Sequence, residues 1–233
     1  MNAELVVLHA LEGDARYLVD GTVHALSAGV LLWAQAGQAH VLLDDTPDFD
    51  MRVMLISQHI LPHTAEGAWP HVQIGSDAPL PPHRLPPSVT AELEQIAQSV
   101  EALTDPDSQR AGLQYWLMRA WHHWHAAPTR QGRAVHPAVT RATWALRDRP
   151  LLSLEDVAKH TGLSQGRLSR LFAAQTGRSL SAFRTECRLD LTEALYADGS
   201  ATWLAAAFEA GFGSYTQFYR AYVARHGTGP RGK

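Results

Sequence analysis

"GFGSYTQFYRAYVARHG", residues 211–227, repeats the plan of "GLSQGRLSRLFAAQTG", residues 162–177. Ala207 and Gly211 lie 49 places after Ala158 and Gly162, whereas Phe218, Arg220, Tyr222 and Gly227 lie 50 places after Leu168, Arg170, Phe172 and Gly177. The offset changes by one residue inside the turn, and no other part of the chain repeats. Each copy has a small residue where two helices cross and, four places on, a glycine that accepts positive φ. A bulky anchor follows inside the second helix. These are the requirements of a helix-turn-helix.

The outward positions of the second helices are polar or cationic. They are Ser164, Gln165, Gly166, Arg167 and Arg170 in one copy, and Ser214, Tyr215, Thr216, Gln217 and Arg220 in the other. Two hairpins that merely packed would carry Glu and Lys there. Arg suits guanine O6/N7, Gln suits adenine, and hydroxyls reach bases or phosphates, so these ten residues are the expected DNA contacts. Lys159 and Arg225 are expected to meet the DNA backbone.

Charge separates the halves of the chain. Residues 1–136 hold 7 Lys+Arg against 15 Asp+Glu, net −8, and residues 137–233 hold 13 against 8, net +5. A basic half within a protein of net charge −3 points weakly to a polyanionic partner. The basic half reads as helical throughout. "PAVTRATWALRD" precedes Ser153, which begins a capping box over "LEDVAKHT"; a long helix from about Leu180 to Ala197 stops at Asp198-Gly199. The expectation is a seven-helix domain with the long helix in the middle.

"LEDVAKHTGLSQGRLSRLFAAQTGRSL" followed by "AFEAGFGSYTQFYRAYVARHGTGP" resembles the DNA-binding domain of the AraC/XylS transcription regulators, over about residues 137–231. The resemblance implies two motifs joined by a long helix and seated in successive major-groove segments on one face of a duplex. Thr192, Tyr196 and Tyr222 depart from the usual residues at packing positions.

The acidic half reads differently. Short apolar runs from residue 4 to about 75, "ELVVLHAL", "ARYLV", "TVHAL", "VLLWAQ", "HVLLD", "MRVMLIS" and "HVQIG", are strand-like and separated by Gly, Asp and Pro. Asp20-Gly21 predicts a type I′ hairpin. The prolines of "APLPPHRLPP" predict an extended connector without regular structure. Helices are expected from Val89 to about Leu103 and from Gln109 to about His125. Within the second, the "WHHWH" of residues 121–125 reads as a packed apolar stripe with exposed histidines.

"LEGDARYLVDGTVHALSAGVLLWAQAGQAH" resembles the cupin-type sensor domain of the same family. Gly29, Gly37 and His40 fall on its second motif, with Gln35 in place of the proline. If Gly13 closes the first motif, Val6 takes its Glu position. If Gly21 closes it, His9 and Asp14 take ligand positions, but Val7 replaces the other His. The first register preserves the hairpin, and no metal, cofactor or catalytic residue is expected. His24, Trp33 and His40 are the candidates for effector contact. The lone Cys187 reads as a small buried apolar residue in a reducing compartment.

The expected architecture is α+β and multidomain. A cupin-like antiparallel β domain, a partial barrel, spans 1–77; a proline connector with two helices expected to dimerise spans 78–126. A linker follows at 127–136, and an all-α DNA-binding domain with two helix-turn-helix motifs spans 137–233. The expected function is a sequence-specific, effector-modulated transcription regulator, a homodimer on double-stranded DNA that meets RNA polymerase if it activates. No apolar run approaches the ~18 residues of a membrane span, so a cytoplasmic location is expected. The competing expectation is a metal-dependent cupin enzyme with a helical appendage.

Overall fold

The computed structural model describes residues 5–35, 37–57, 80–127, 132–199 and 201–230. The chain divides into two compact units, Met1–Ala134 and Val135–Lys233. In the first, strands β1 (Leu5–Glu12), β2 (Asp14–Val19), β3 (Thr22–Ser27), β4 (Val30–Ala34), β5 (His40–Asp45) and β6 (Asp50–Ile56) follow one another. Two-residue strands β7 (His83–Arg84) and β8 (Arg133–Ala134) join them from later in the chain. They form two four-stranded sheets, β6-β1-β4-β7 and β5-β2-β3-β8, antiparallel throughout. "HVQIG" at 71–75 lies outside the described residues.

Strand periodicity distributes β1 between two cores. Val6, Leu8 and Ala10 join Leu32 and Ala34 of β4 against Ala15, Tyr17, Val19 and Leu26 of the other sheet. Leu5 and Val7, with Leu31 and Trp33, instead face helices α1 (Pro87–Glu101) and α2 (Pro106–Ala126). A sheet covered on both faces explains why "LVVLHAL" and "VLLWA" are nearly continuous apolar runs. Each fully buried Leu or Val stabilises the unit by roughly 1.5–3 kcal/mol.

The hairpin forms as the sequence predicts: Asp20 and Gly21 have φ of 41° and 77°, and Tyr17 stands opposite His24. The proline-rich segment departs from its expected irregularity. His83 and Arg84 pair with Leu31 and Val30, because between Pro82 and Pro86 they keep the N–H groups that proline lacks. β8 likewise forms inside the expected linker, with Ala134 opposite Thr22 and Arg133 opposite Val23. Trp116, Leu117, Ala120, Trp121 and Trp124 make the buried stripe of α2. His122 and His125 are exposed.

The second unit contains six helices among the described residues, not seven: α3 (Pro137–Asp148), α4 (Leu154–Thr161), α5 (Gln165–Thr176), α6 (Leu180–Ala197), α7 (Trp203–Glu209) and α8 (Tyr215–His226). Each apolar-periodic segment folds as one uninterrupted helix, so no segment remains to supply a seventh. α6 runs 18 residues, about 27 Å at 1.5 Å per residue. Its Leu180, Phe183, Cys187, Leu189 and Thr192 are buried, and burial pushes the Cys187 thiol up to about 11. Tyr196 stacks on Trp203 at 3.8 Å, Tyr222 meets it edge-on at 5.2 Å, and the Thr192 hydroxyl donates to the Arg188 carbonyl at 2.8 Å.

Candidate nucleic-acid interface

α4 and α5 form the first motif. The Ser153 hydroxyl accepts from Asp156 N at 3.1 Å and donates to its carboxylate at 2.6 Å. Gly162, at φ 75°, closes α4, and Leu163 N reaches back to the Ala158 carbonyl at 3.2 Å. This is the six-residue return of a Schellman turn, which a Cβ would strain. Ser164 then caps α5 by accepting from Arg167 N. Leu168 and Phe172 are wholly buried beneath the turn.

α7 and α8 repeat these contacts. Gly211 has φ 85°, and Phe212 N returns to the Ala207 carbonyl at 3.0 Å. Ser214 caps α8 by accepting from Gln217 N, while the Gln217 side chain accepts from Gly213 N at 3.2 Å. Phe218 is wholly buried, ringed by Trp203, Phe212, Tyr215 and Tyr222 at 5.6–5.8 Å between ring centres.

The two helices present their first turns outward. Ser164, Gln165, Gly166, Arg167 and Arg170 are exposed on α5; Tyr215, Thr216, Gln217 and Arg220 are exposed on α8, with Ser214 half-buried. Neither helix has an acidic residue in its first turn, so the unpaired N–H groups and the positive end of each helix dipole stay available to an anion. α4, by contrast, has Glu155 and Asp156 there. Ser164 and Ser214 spend an acceptor on capping. Gly166 has no atom within 4 Å of the place a Cβ would take, so packing within the protein does not require glycine there. Tyr219 was not singled out in the sequence; it is 44% exposed and lies 6.3 Å from Tyr215 between ring centres. Its four-residue spacing from Tyr215 was the available signal.

The two expected backbone contacts fare differently. Lys159 is exposed, but its ammonium lies 2.9 Å from Glu155 and 4.0 Å from Asp156, carboxylates that raise its pKa. Arg225 is engaged within the protein. It meets Asp190 at 2.6 Å, Glu186 at 3.3 Å and Glu193 at 3.9 Å. Arg147 shares Asp190, Arg178 shares Glu186, and His226 lies 2.7 Å from Glu193. An acidic stripe on α6 therefore holds Arg225, which serves the α6–α8 contact.

The three effector candidates do not share one place. His24 stands opposite Tyr17 across β2–β3, and the His40 ring stacks on Tyr17 at 6.2 Å. Burial lowers the His24 pKa. Trp33 is on the opposite side of the other sheet, edge-on to Trp121 and Trp124 at 5.6 and 6.2 Å. His9 also faces the helices; it is 1% exposed, neither ring nitrogen has a hydrogen-bond partner, and burial pushes its pKa down to about 4. No group of three or more His, Cys, Asp or Glu among the described residues is placed to hold a metal. A separate cleft of about 210 Å³ lies between β6 and the α1–α2 pair, walled by Met54, Ile56, Ala97, Val100 and Trp116, with Arg52 and Glu101 also lining it.

A protein-family model described as "Helix-turn-helix domain" matches residues 157–232. No curated protein matches the chain. ToxT from Vibrio cholerae O395 aligns over 98% of this chain and 87% of its own, at 11% identity and TM-score 0.47. Wild-type ToxT of strain SCE256, with an unsaturated fatty acid bound, aligns over 98% and 86%, at 10% identity and TM-score 0.44. The AraC-like transcriptional activator CuxR aligns over 87% and 72%, at 21% identity and TM-score 0.35. The assignment rests on the matched domain and its doubled geometry, not on these distant likenesses. The second unit contains a helix-turn-helix domain over residues 157–232. No helix among the described residues is long and apolar enough to cross a membrane.

Proposed function

We propose that this protein is a sequence-specific regulator in which one chain reads two major-groove segments, through the first turns of α5 and α8. The observation that carries this reading is the duplicated exposed, acid-free first turn, each held by the same glycine turn and serine cap. Arg167, Arg170, Gln217 and Arg220 are the base-reading side chains, with Gln165, Tyr215 and Thr216 beside them; Lys159 contacts phosphate weakly because its acids compete. The first unit acts as the cytoplasmic sensing and dimerising half. Its cleft beside β6 takes a small apolar effector, a better fit than the His24–His40 pair because its walls are apolar and open. If the regulator activates, RNA polymerase is the further partner.

The test is spacing. Duplexes selected by the full chain from a random pool should contain two blocks about 10 bp apart. Inserting ~5 bp between them turns the second block by half a helical turn. Affinity should then fall to that of Gln217→Ala/Arg220→Ala, a loss of about 2–6 kcal/mol at 1–3 kcal/mol for each reading residue. Binding indifferent to the insertion would leave one copy as the sole reader.

A further inference from the structure

Arg188 sits midway along α6, half-buried, with no ion pair among the described residues. Its Nη1 donates to the Gly211 carbonyl at 2.7 Å and its Nε to the Pro150 carbonyl at 3.2 Å. Both acceptors have telling positions. Pro150 is three residues before Ser153, the cap of α4, and Gly211 is three residues before Ser214, the cap of α8. One guanidinium thus grips the backbone at the entrance to the first motif and at the turn of the second. The same turn rests on the first loop directly, since a Cβ at Gly211 would meet Leu151 at 2.9 Å and Arg188 at 3.3 Å. Gly162, the counterpart of Gly211, has nothing within 4 Å.

The acidic stripe does not duplicate this grip. Glu186, Asp190 and Glu193 hold Arg225 and His226, at the end of α8 remote from its reading turn. A planar guanidinium presents N–H groups in a fixed fork, so its two bonds also fix the angle between the segments they join.

We infer that Arg188 is a positioning residue that sets the register between the two recognition helices, making the turn of the second motif ride on the loop that opens the first. This rests on the reading that both helices contact one duplex. Such a clamp adds no contact to either block. It penalises DNA on which the blocks are misplaced, and so converts two readers into one ruler.

The experiment uses the full chain and the duplexes it selects from a random pool, with 1 bp inserted or removed between the blocks. Wild type should bind the altered spacings about tenfold more weakly, the scale of losing one good base contact. Arg188→Gln should narrow that ratio to about threefold or less, since a loosened second motif can follow its block. Lost folded fraction weakens binding to every duplex equally and leaves the ratio unchanged, so the ratio separates positioning from stability. Should Arg188→Gln fail to fold, Arg188→Lys decides the matter. One ammonium cannot reproduce the fork, and its ratio should fall between wild type and threefold. An Arg188→Gln or Arg188→Lys ratio equal to wild type overturns the inference. A wild type indifferent even to a half-turn insertion overturns the two-reader reading instead, and the inference with it.

Discussion

The two helix-turn-helix copies share what the turn requires and differ in what surrounds it. Common to both are the buried alanine, the positive-φ glycine, the serine cap, the buried anchor and an exposed arginine six residues after the cap, Arg170 or Arg220. Around this frame, α4 has an exposed Glu155–Lys159 ion pair, whereas the equivalent α7 positions are Leu204 and Phe208, 48% and 52% exposed. Gln165, Gly166 and Arg167 face Tyr215, Thr216 and Gln217 as counterparts. The shared alanine, glycine, serine and anchor serve the fold of each copy; the shared arginine and the unshared outward residues are those proposed to meet DNA. On the proposed reading, the first copy would add a bare backbone at Gly166 to its two arginines, and the second would add an amide and an aromatic ring to Arg220.

The sharpest test of this division is at the shared anchors. Leu168 and Phe218 are both wholly buried, but Phe218 alone has a ring of four aromatic neighbours. Phe218→Ala should cost about 3–5 kcal/mol and Leu168→Ala about 2–5 kcal/mol, with Phe218→Ala the larger in urea unfolding followed by helical circular dichroism. A loss below about 1 kcal/mol for either would show that its copy does not depend on its anchor.

The turn glycines come next. Gly162→Ala meets only the cost of positive φ, about 1–2 kcal/mol. Gly211→Ala meets that cost and a collision with Leu151, worth about a further 1–3 kcal/mol of overpacking. Truncation by Leu151→Ala should recover part of the loss in Gly211→Ala and none in Gly162→Ala. A double-mutant cycle measures this coupling; equal effects in the two backgrounds would mean that the second turn stands free, as the first does.

Local rules made much of this legible. The duplicated turn, the serine caps, the Asp20-Gly21 hairpin and the stop of α6 at Asp198 each depend on residues within six positions of one another, so their spacing is written in the chain. What stayed hidden depends on distant partners. Arg225 reads as one more cation near a helix end until Asp190, 35 residues away, is seen to hold it. Arg188 is unremarkable in "RTECRLDL", since its acceptors are carbonyls that every residue possesses. Trp33 seems near His40 in sequence, yet the alternation of β4 sends it to the other side of its sheet. The pairing of His83–Arg84 between prolines was likewise masked by composition.

The smallest effect on stability, and the most selective on binding, is expected at Gly166. It occupies the second position of α5 in helical conformation, exposed, and no neighbouring atom would obstruct a Cβ. Glycine at such a position costs a helix roughly 0.5–1 kcal/mol relative to alanine, so nothing within the protein rewards it. Close approach of a bound duplex would reward it, because a bare Cα lets phosphate or a base edge come nearer than a methyl permits. Gly166→Ala should therefore leave the unfolding midpoint unchanged or raise it slightly, while weakening binding to selected duplexes by about tenfold, near the lower end of the 1–3 kcal/mol expected of a base contact. Its counterpart, Thr216→Ala, removes atoms instead of adding them and should change preference at one position with a smaller loss of affinity. If Gly166→Ala binds as wild type does, the backbone of α5 does not come close to the duplex at Gly166, and the contrast between a first copy that adds bare backbone and a second that adds amide and aromatic side chains fails there.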